Sequence, residues 1–400
     1  MSHRLVNLNE DLSRLRSDGY DVSIGTSNHL LVRDVPFVNA SNQVKRGIIV
    51  SDLDLAGDTT IAPKSHVVFF VGEYPCNLDG TAIGGVSQNT NQPLGEGLTP
   101  NHQISRRPKL EGGAYRDYTD YYEKITTLVG IVSGPAQVID PTVTARTYPV
   151  IVPDEGESVF HYLDTASTKA GIVIANKKLE GKKIGIVGVG GTGSYVLDFI
   201  AKTPVTEIHI FDGDIFLNHN AFRCPGAPSL DDLKAKSQKV TFLAALYGKM
   251  RKNIIPHDGF VDDKNIETLK GMDFVFLCID NSHSKLLIVE RLESWGVAFI
   301  DVGMGIQIGD DNKIAGIITV TTSTPTKRDH FRDRVRMGMN ESNNEYSRNV
   351  QIAELNALNA ALAVIKWKKL SGYLHDTKNE HYSAYMVRDN QLISEDPHEA

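Results

Sequence analysis

The sequence predicts an α/β fold in which a doubly wound, Rossmann-like domain follows a mixed α+β, strand-rich domain. Three observations lead to this prediction. The chain has 400 residues, enough for about two or three domains. From Lys182 onward, continuous apolar runs of strand length alternate with helical patterns, as buried parallel strands and their crossover helices require. Before Pro149, shorter apolar runs are separated by Pro, Gly, Asn and Asp, which favours strands joined by turns.

The first region, residues 1–150, is predicted to be an accessory domain that recruits a substrate or a partner enzyme. Its strands are predicted in three apolar runs, "NHLLVRDVPFV", "KRGIIVSDL" and "HVVFFVGEYP". The polar, glycine-bearing segment from Gln88 to Pro108 is then predicted to be a long surface loop. An aromatic-rich helical pattern, "DYTDYYEKITTLVGIVSG", follows it. Residues 151–181 are then predicted to form a linker and a helix, the helix lying in "SVFHYLDTASTKAGIVI".

The second region, residues 182–400, alternates between the two kinds of pattern. Buried parallel strands are predicted in "KIGIVGV", "EIHIFD", "FVFLCID" and "VAFIDVG". Helices are predicted in "GSYVLDFIAKT" and "KSQKVTFLAALYGKM". The apolar-periodic stretch "NVQIAELNALNAALAVIKWKKL" predicts a further long helix that packs on the sheet.

The composition argues against several classes of function. The formal net charge is -7 and no long basic run is present, so a nucleic-acid footprint is not expected. The three cysteines, Cys76, Cys224 and Cys278, are isolated, which gives no support to a zinc ribbon or a disulfide framework. No apolar run approaches the length of a membrane span, and the first residues lack a signal-peptide pattern. A cytoplasmic location is therefore expected.

A glycine-rich turn follows the first strand of the second region. Gly188, Gly190 and Gly193 have the spacing G-x-G-x-x-G, with Gly191 between them. Such a turn lets backbone N–H groups and a helix N-terminus approach phosphate oxygens. Asp212 ends the next strand, where its carboxylate can accept hydrogen bonds from ribose hydroxyls. The pattern predicts nucleotide binding, and it fits NAD and ATP equally well.

The loop after the second strand, "FDGDIFLNHNAFR", separates these two nucleotides. It carries two carboxylates, an amide and a guanidinium, on Asp212, Asp214, Asn220 and Arg223. This set suits a triphosphate with its metal better than the pyrophosphate diester of a dinucleotide. The loop therefore favours ATP over NAD.

At this loop the sequence resembles the ubiquitin-activating superfamily, the ThiF/MoeB-type adenylating enzymes. Their pattern here is D-x-D-x-V-x-x-S-N-L-x-R-Q, and the four residues of the loop match it in register. His219 stands where the family has Ser, Ala221 where it has Leu, and Cys224 where it has Gln. The later stretch "DFVFLCIDN" is similar to the family's D-x-V-x-D-C-x-D-N and ends in Asp280 and Asn281.

The resemblance implies an enzyme that uses ATP and Mg²⁺ to adenylate the C-terminal carboxylate of a ubiquitin-like protein. It implies that Arg223, Lys236 and Asn220 contact the triphosphate and that Asp280 holds Mg²⁺. It also implies a homodimer, in which Lys169 is a candidate for the cation that reaches the partner's ATP, although a solvated helix face is the favoured interpretation of Lys169.

The N-terminal region is similar to a domain that precedes ThiF-type domains in bacterial ubiquitin-like conjugation operons. That resemblance implies a conjugating-enzyme partner and a role in defence against phage. The family's thioester cysteine has no counterpart in the segment from Ser323 to Asn349, which contains no cysteine. Cys224, beside Arg223, is the one cysteine placed to meet an adenylate, and transfer to a partner's nucleophile is the simpler expectation.

Other interpretations stay open at this point. An NAD-dependent Rossmann oxidoreductase shares the glycine turn, but the sequence shows no Tyr-x-x-x-Lys pair or histidine relay for hydride transfer. A non-catalytic nucleotide-binding scaffold shares the fold, but this chain keeps the charged residues. Cys76, His66 and His102 could meet around a metal, although their spacing favours a buried thiol and two unrelated histidines.

Overall fold

The computed structural model describes residues 2–25, 27–88, 93–94, 97–309, 311–337 and 350–394. The chain divides into two compact units. The first unit comprises residues 1–155 and 162–173, and the second comprises residues 156–161 and 174–400. None of the described helices is long and apolar enough to cross a membrane.

The first unit contains a six-stranded sheet in the order β1-β2-β3-β6-β8-β7, with a separate β4–β5 pair. All of its described strand pairs are antiparallel. Helix α3 packs on this sheet, and its fully buried contacts with the core include Tyr121, Ile125 and Leu128. The elements are α1 (Ser2–Leu8), α2 (Glu10–Ser17), β1 (Asp21–Ile24), β2 (His29–Val38), β3 (Val44–Asp52), β4 (Leu55–Ala56), β5 (Thr59–Thr60), β6 (Val67–Val71), β7 (Val86–Gln88), β8 (His102–Ser105), α3 (Tyr121–Ile139) and α4 (Thr165–Lys169).

The second unit contains an eight-stranded sheet in the order β11-β10-β9-β12-β13-β14-β15-β16. The first five strands of this order are parallel, and the last three continue the sheet antiparallel. A 3₁₀ helix spans Ile266–Gly271. The other elements are α5 (Val173–Asn176), which leads into the unit, β9 (Lys183–Val187), α6 (Gly191–Ala201), β10 (Glu207–Asp212), α7 (Asn218–Ala221), α8 (Leu230–Ala235), α9 (Lys239–Tyr247), β11 (Ile254–Asp258), β12 (Phe274–Leu277), α10 (Ser282–Trp295), β13 (Ala298–Ile308), β14 (Ile314–Ser323), α11 (Phe331–Arg334), α12 (Ala353–Leu370), β15 (Tyr382–Met386) and β16 (Gln391–Ile393).

Helices cover both faces of the parallel strands, which explains why those strands are apolar throughout. Helices α6, α9 and α12 pack on one face around Trp367, and α10 packs on the other face with Phe299 and Phe331. All four residues of the central strand β12 are buried. The predicted fold class, a Rossmann-like domain after a strand-rich domain, is confirmed, and the long helix predicted near the end does pack on the sheet.

Two local predictions were wrong. The single helix predicted in residues 158–174 is interrupted: the short helix α4 ends at Lys169, Gly171 follows in the left-handed region with φ +69°, and α5 begins at Val173. Residues 88–108 read as one long polar loop in the sequence, yet β8 lies within them and pairs with β6. Residues 89–92, 95 and 96 of that segment lie outside the described residues.

Candidate active site

The glycine turn joins the end of β9 to the start of α6. A Cβ on Gly188, whose φ is +85°, would lie 2.5 Å from the carbonyl oxygen of Cys278. A Cβ on Gly193 would lie 1.8 Å from the carbonyl oxygen of Gly188. Both positions therefore require glycine so that α6 can pack closely on the strands. No atom lies within 4 Å of the place where a Cβ on Gly190 would stand, so this part of the turn is open.

Asp212, at the end of β10, connects the glycine turn to this neighbouring strand through a hydrogen bond. Its Oδ2 accepts a hydrogen bond from the Val189 N–H at 2.9 Å. Its Oδ1 accepts one from the Asp214 N–H, also at 2.9 Å. The side chain is buried, yet it borders the cavity described below. Asp212 thus supports the turn, and it is also within reach of a ligand in the cavity.

The lysine at this site is Lys239, in the first turn of α9. Its Nζ lies 2.6 Å from Asp214 Oδ2 and 3.4 Å from Asp212 Oδ1, and its side chain is only 8% exposed. Lys236, which the resemblance indicated, is exposed, ends α8 with a left-handed φ of +49° and does not border the cavity. The sequence does contain an indication that Lys239 belongs to the site, since it stands at the start of an apolar helical pattern. Helices that follow parallel strands begin near the ligand-binding edge of the sheet.

Arg223 and Asn220 follow β10 on a short helical turn. Arg223 borders the cavity, and its buried Nε has no hydrogen-bond partner among the residues that the structure describes. Asn220 is fully buried, and its Oδ1 accepts a hydrogen bond from the Leu217 N–H at 2.9 Å. Asn220 does not border the cavity, so its visible role is to shape the loop that carries Arg223.

Asp280 and Asn281 follow β12 and precede α10. Asp280 is exposed and borders the cavity, whereas Asn281 caps α10 by accepting a hydrogen bond from the Ser284 N–H at 2.8 Å. Beneath them, Lys285 Nζ lies 2.6 Å from Asp301 Oδ1 in a buried ion pair that joins α10 to β13. Burial raises the pKa of Asp301, and the Lys285 ammonium opposes that rise.

Two amide side chains near the start of α12 complete the site, and the sequence analysis missed both. Asn356 is fully buried; its Oδ1 accepts a hydrogen bond from Thr192 Oγ1 at 3.1 Å, and its Nδ2 donates one to the Arg223 carbonyl at 3.3 Å. Gln351 borders the cavity beside Gly191. The sequence indicates Asn356 only by the presence of asparagine in an otherwise apolar helical pattern, since a buried amide needs hydrogen-bond partners.

Several of these side chains border one cavity of about 260 Å³. It lies at the carboxyl ends of four parallel strands, β10, β9, β12 and β13, which is where open α/β sheets bind ligands. Arg223 and Lys239 bring cations to it, and Asp212, Asp214 and Asp280 bring carboxylates. Such a cavity can hold a nucleotide with its phosphates on the glycine turn and at the N-terminus of α6.

The two cysteines of the site are poor nucleophiles. Cys224 is buried, and its thiol points to the Gly190 carbonyl with a sulfur–oxygen distance of 3.6 Å. Burial raises the pKa of Cys224 in spite of the nearby Arg223 charge, so the thiol is neutral at physiological pH. Burial also raises the pKa of Cys278.

Two further candidates lie in the first unit. Lys169 is exposed in the last turn of α4. His66 Nδ1 accepts a hydrogen bond from Arg107 Nε at 3.1 Å, and the Cys76 thiol donates to the Tyr74 carbonyl. No group of three or more His, Cys, Asp or Glu side chains that could hold a metal ion occurs in the described part of the chain.

The fold and the cavity define a nucleotide-binding α/β protein. The model of the ThiF family matches residues 167–391, more than half of the chain. The chain therefore belongs to the ThiF family. A second model, a domain of unknown function called DUF6791, matches residues 10–165.

Individual relatives are distant. Ubiquitin-like modifier-activating enzyme 5 of Drosophila persimilis is 26% identical over 137 residues, which are 31% of this chain and 35% of that protein. The same enzyme of Drosophila pseudoobscura pseudoobscura is 26% identical over 136 residues, 31% of this chain and 34% of that protein. The chain thus spans about a third of the length of the curated relatives it matches.

Solved structures with a similar fold include E. coli MccB. With MccA-N7isoASN it is 18% identical, covers 58% of this chain and 69% of its own, and has a TM-score of 0.46. With ATP it is 17% identical, covers 56% of this chain and 66% of its own, and has a TM-score of 0.44.

Proposed function

We propose that this chain is an ATP-dependent adenylyltransferase that activates the C-terminal carboxylate of a ubiquitin-like modifier protein. One observation carries the proposal: a glycine turn, Arg223, Lys239 and Asp280 meet around one cavity at the carboxyl edge of the parallel sheet. Membership of the ThiF family supports it. The choice of a ubiquitin-like modifier as the substrate is supported by the resemblance of the motifs to the ubiquitin-activating superfamily.

The proposed reaction is a displacement at the α-phosphorus of ATP. A carboxylate oxygen of the substrate forms a bond to the α-phosphorus, and the bond from that phosphorus to the α,β-bridging oxygen breaks. Pyrophosphate leaves with the electron pair, and an acyl-adenylate remains. Because a carboxylate is already a nucleophile, the protein needs no general base; it must position two anions and stabilise the charge on the phosphate oxygens.

Each side chain then has a role. N–H groups of the glycine turn hold phosphate oxygens, and Asp212 accepts hydrogen bonds from the ribose. Arg223 and Lys239 neutralise the β- and γ-phosphates. Lys239 contacts two carboxylates in the structure, so we infer that its ammonium turns from Asp214 towards phosphate when ATP binds.

Asp280 fits a Mg²⁺ ion bound with ATP. Mg²⁺ prefers oxygen ligands and is commonly held by one or two carboxylates together with substrate phosphates. Asp280 offers such an oxygen donor on the cavity wall, and Asn281 keeps its loop in place by capping α10. When bound, Mg²⁺ would neutralise charge on the phosphates.

The acyl group is proposed to pass to a nucleophile of a partner protein, because the thiols of Cys224 and Cys278 are neutral. We further propose a cytoplasmic homodimer that works with a conjugating enzyme in a bacterial antiphage pathway. The N-terminal domain would recruit the modifier or that enzyme. The resemblance to the ubiquitin-activating superfamily and its bacterial operons supports the homodimer, the pathway and the role of the N-terminal domain. Incubation with ATP and the modifier tests the transfer: a thiol-reducible adduct lost in Cys224→Ser would contradict it.

ATP–pyrophosphate exchange tests the central proposal. Exchange should depend on a ubiquitin-like protein with a free C-terminal carboxylate. It should fall by about 100- to 1,000-fold in Arg223→Ala and Asp280→Ala, because each change removes charge stabilisation from the phosphates. Circular dichroism should show that both variants keep the wild-type fold. Wild-type exchange in either variant, or binding of NAD in place of ATP, would contradict the proposal.

A further inference from the structure

The cavity runs across the strands of the sheet, and the strand order defines its two ends. Asp212 lies on β10, whereas Val302 and Met304 lie on β13, three strands away in the order β10-β9-β12-β13. Neighbouring strands lie about 4.8 Å apart, so the cavity extends about 14 Å across the sheet. It therefore reaches from the strand that carries Asp212 to strand β13.

The cations indicate which end takes the pyrophosphate. Arg223 and Lys239 both come from the segment between β10 and β11, on the β10 side of the glycine turn. In phosphoryl and nucleotidyl transfer the nucleophile enters opposite the leaving group. If the pyrophosphate leaves towards these cations, the substrate carboxylate enters from the β13 side.

Gln351 stands on this β13 side. The Val350 N–H donates a hydrogen bond to the Ile306 carbonyl of β13 at 3.3 Å, which fixes the chain beside that strand. Gln351 Oε1 also touches the glycine turn, since a Cβ on Gly191 would lie 2.7 Å from it. The carboxamide thus lies between β13 and the turn that would hold the α-phosphate.

Gln351 Oε1 has no partner within the protein. It is buried, borders the cavity and accepts no hydrogen bond from any residue that the structure describes. A buried acceptor without a donor destabilises the folded protein. Phosphate and carboxylate oxygens cannot supply the donor because they are acceptors themselves. Ribose hydroxyls can donate, but Asp212 would hold them at the β10 end of the cavity. At the β13 end, a main-chain N–H of the chain that bears the carboxylate can supply the donor.

We propose that Gln351 is a specificity-determining residue, whose Oε1 accepts a hydrogen bond from a main-chain N–H of the substrate's carboxyl-terminal tail. Val302, Met304 and Ile288 give this end of the cavity an apolar wall. The preferred substrate is therefore a peptide tail with apolar residues, and a carboxylic acid without a peptide N–H is disfavoured. The inference rests on the proposed adenylation.

Adenylate mimics test the hydrogen bond directly. The probes are 5′-O-sulfamoyladenosine, its N-acetylglycyl derivative, which has one peptide N–H, and its N-acetylsarcosyl derivative, in which a methyl group replaces that hydrogen. Wild-type protein should bind the acetylglycyl probe about three- to tenfold more tightly than the acetylsarcosyl probe, as expected for one neutral hydrogen bond. Calorimetric titration of the full chain measures this ratio.

The variant Gln351→Met keeps the length of the side chain but has no amide oxygen. It should bind the two acylated probes equally and 5′-O-sulfamoyladenosine as tightly as wild type. Gln307→Met is a matched control, because Gln307 is exposed near the end of β13 and does not border the cavity. The control should keep the wild-type ratio.

The possible results separate the two proposals. A preference for the N–H probe that survives in Gln351→Met overturns the role of Gln351, and so does an equal loss of affinity for all three probes. Absence of any preference in wild-type protein overturns it as well, without any variant. Failure of wild-type protein to bind 5′-O-sulfamoyladenosine contradicts adenylation itself.

Discussion

Lys236 and Lys239 lie three residues apart, and only Lys239 borders the cavity. Lys239→Met should weaken ATP binding by about 10- to 100-fold, since a charge-assisted hydrogen bond contributes about 1.5–3 kcal/mol. Lys236→Met should leave binding within about twofold of wild type, because Lys236 is exposed outside the cavity. Calorimetric titration with ATP and Mg²⁺ compares the two variants. A larger effect of Lys236→Met would restore the lysine that the resemblance indicated.

Lys124 is a buried cation in the core of the first unit. It is 1% exposed, its Nζ donates a hydrogen bond to Ser51 Oγ at 2.8 Å, and burial lowers its pKa to about 8. The ordinary pKa of a lysine in the unfolded chain is about 10.4. Between about pH 8 and about pH 10.4 the unfolded state therefore binds more protons than the folded state, and the free energy of unfolding rises with pH. The free energy of unfolding of this unit should rise by about 2 kcal/mol from about pH 8 to about pH 9.5.

Urea unfolding of wild type and Lys124→Met, followed by circular dichroism, checks this expectation. The variant should lose that rise with pH. It should still fold, because the Ser51 hydroxyl also donates to the Asp52 carbonyl and so keeps a partner. An equal pH dependence in both proteins would show that Lys124 keeps its normal proton affinity in the fold.

The sequence located the residues whose motifs are local. Gly188, Asp212, Arg223 and Asp280 each follow a strong strand pattern or sit in a dense motif, and all four border the cavity. Asn356 could not be found in this way, because it reaches the glycine turn from 164 residues away and its partners appear only in the folded structure. Proximity across such distances depends on packing that no local pattern encodes.

At the scale of elements, the contact between α6 and α12 depends on one glycine. A Cβ on Gly191 would lie 2.2 Å from Asn356 Nδ2, so Gly191→Ala should destabilise the second unit by about 1–3 kcal/mol. Asn356→Ala should also destabilise it, because the Arg223 carbonyl and the Thr192 hydroxyl lose a partner. The double variant should lose less stability than the sum of the two single variants, since Asn356→Ala removes the nearest of the atoms that clash.

Urea unfolding followed by tryptophan fluorescence measures this cycle, since Trp367 lies in α12. Gly130→Ala is the control: Gly130 lies in α3 of the first unit with open space around it, so the fluorescence midpoint, which reports on the second unit, should not change. If the free energy of unfolding lost in the double variant equals the sum of the two single losses, the glycine turn and α12 do not share this contact.

The sequence predicted elements best where burial imposes a pattern. Strand β12 is buried on both faces, so its four residues are all apolar and were easily recognised. Strand β8 was missed because only one of its four residues is fully buried, and its pairing with β6 depends on distant chain. Helices α4 and α5 were merged into one, since Gly171 interrupts the apolar pattern through its backbone conformation and not through its polarity.

At the scale of the whole molecule, each unit has its own hydrophobic core. The cluster of the first unit, which includes Leu12, Phe37 and Leu128, shares no residue with the clusters of the second. All the residues that border the nucleotide cavity belong to the second unit. A ligand bound there stabilises the unit that binds it by mass action, by about 2.7 kcal/mol at 100 times its dissociation constant.

Thermal unfolding with ATP and Mg²⁺ should therefore distinguish the two cores. The chain has two tryptophans, Trp295 and Trp367, and both lie in the second unit. Tryptophan fluorescence should report a midpoint that rises by several degrees with ATP, while far-UV circular dichroism should show a further transition that does not move. In Arg223→Ala the fluorescence midpoint should respond little to ATP. A nucleotide-dependent rise of every transition would mean that the two cores unfold as a single cooperative structure.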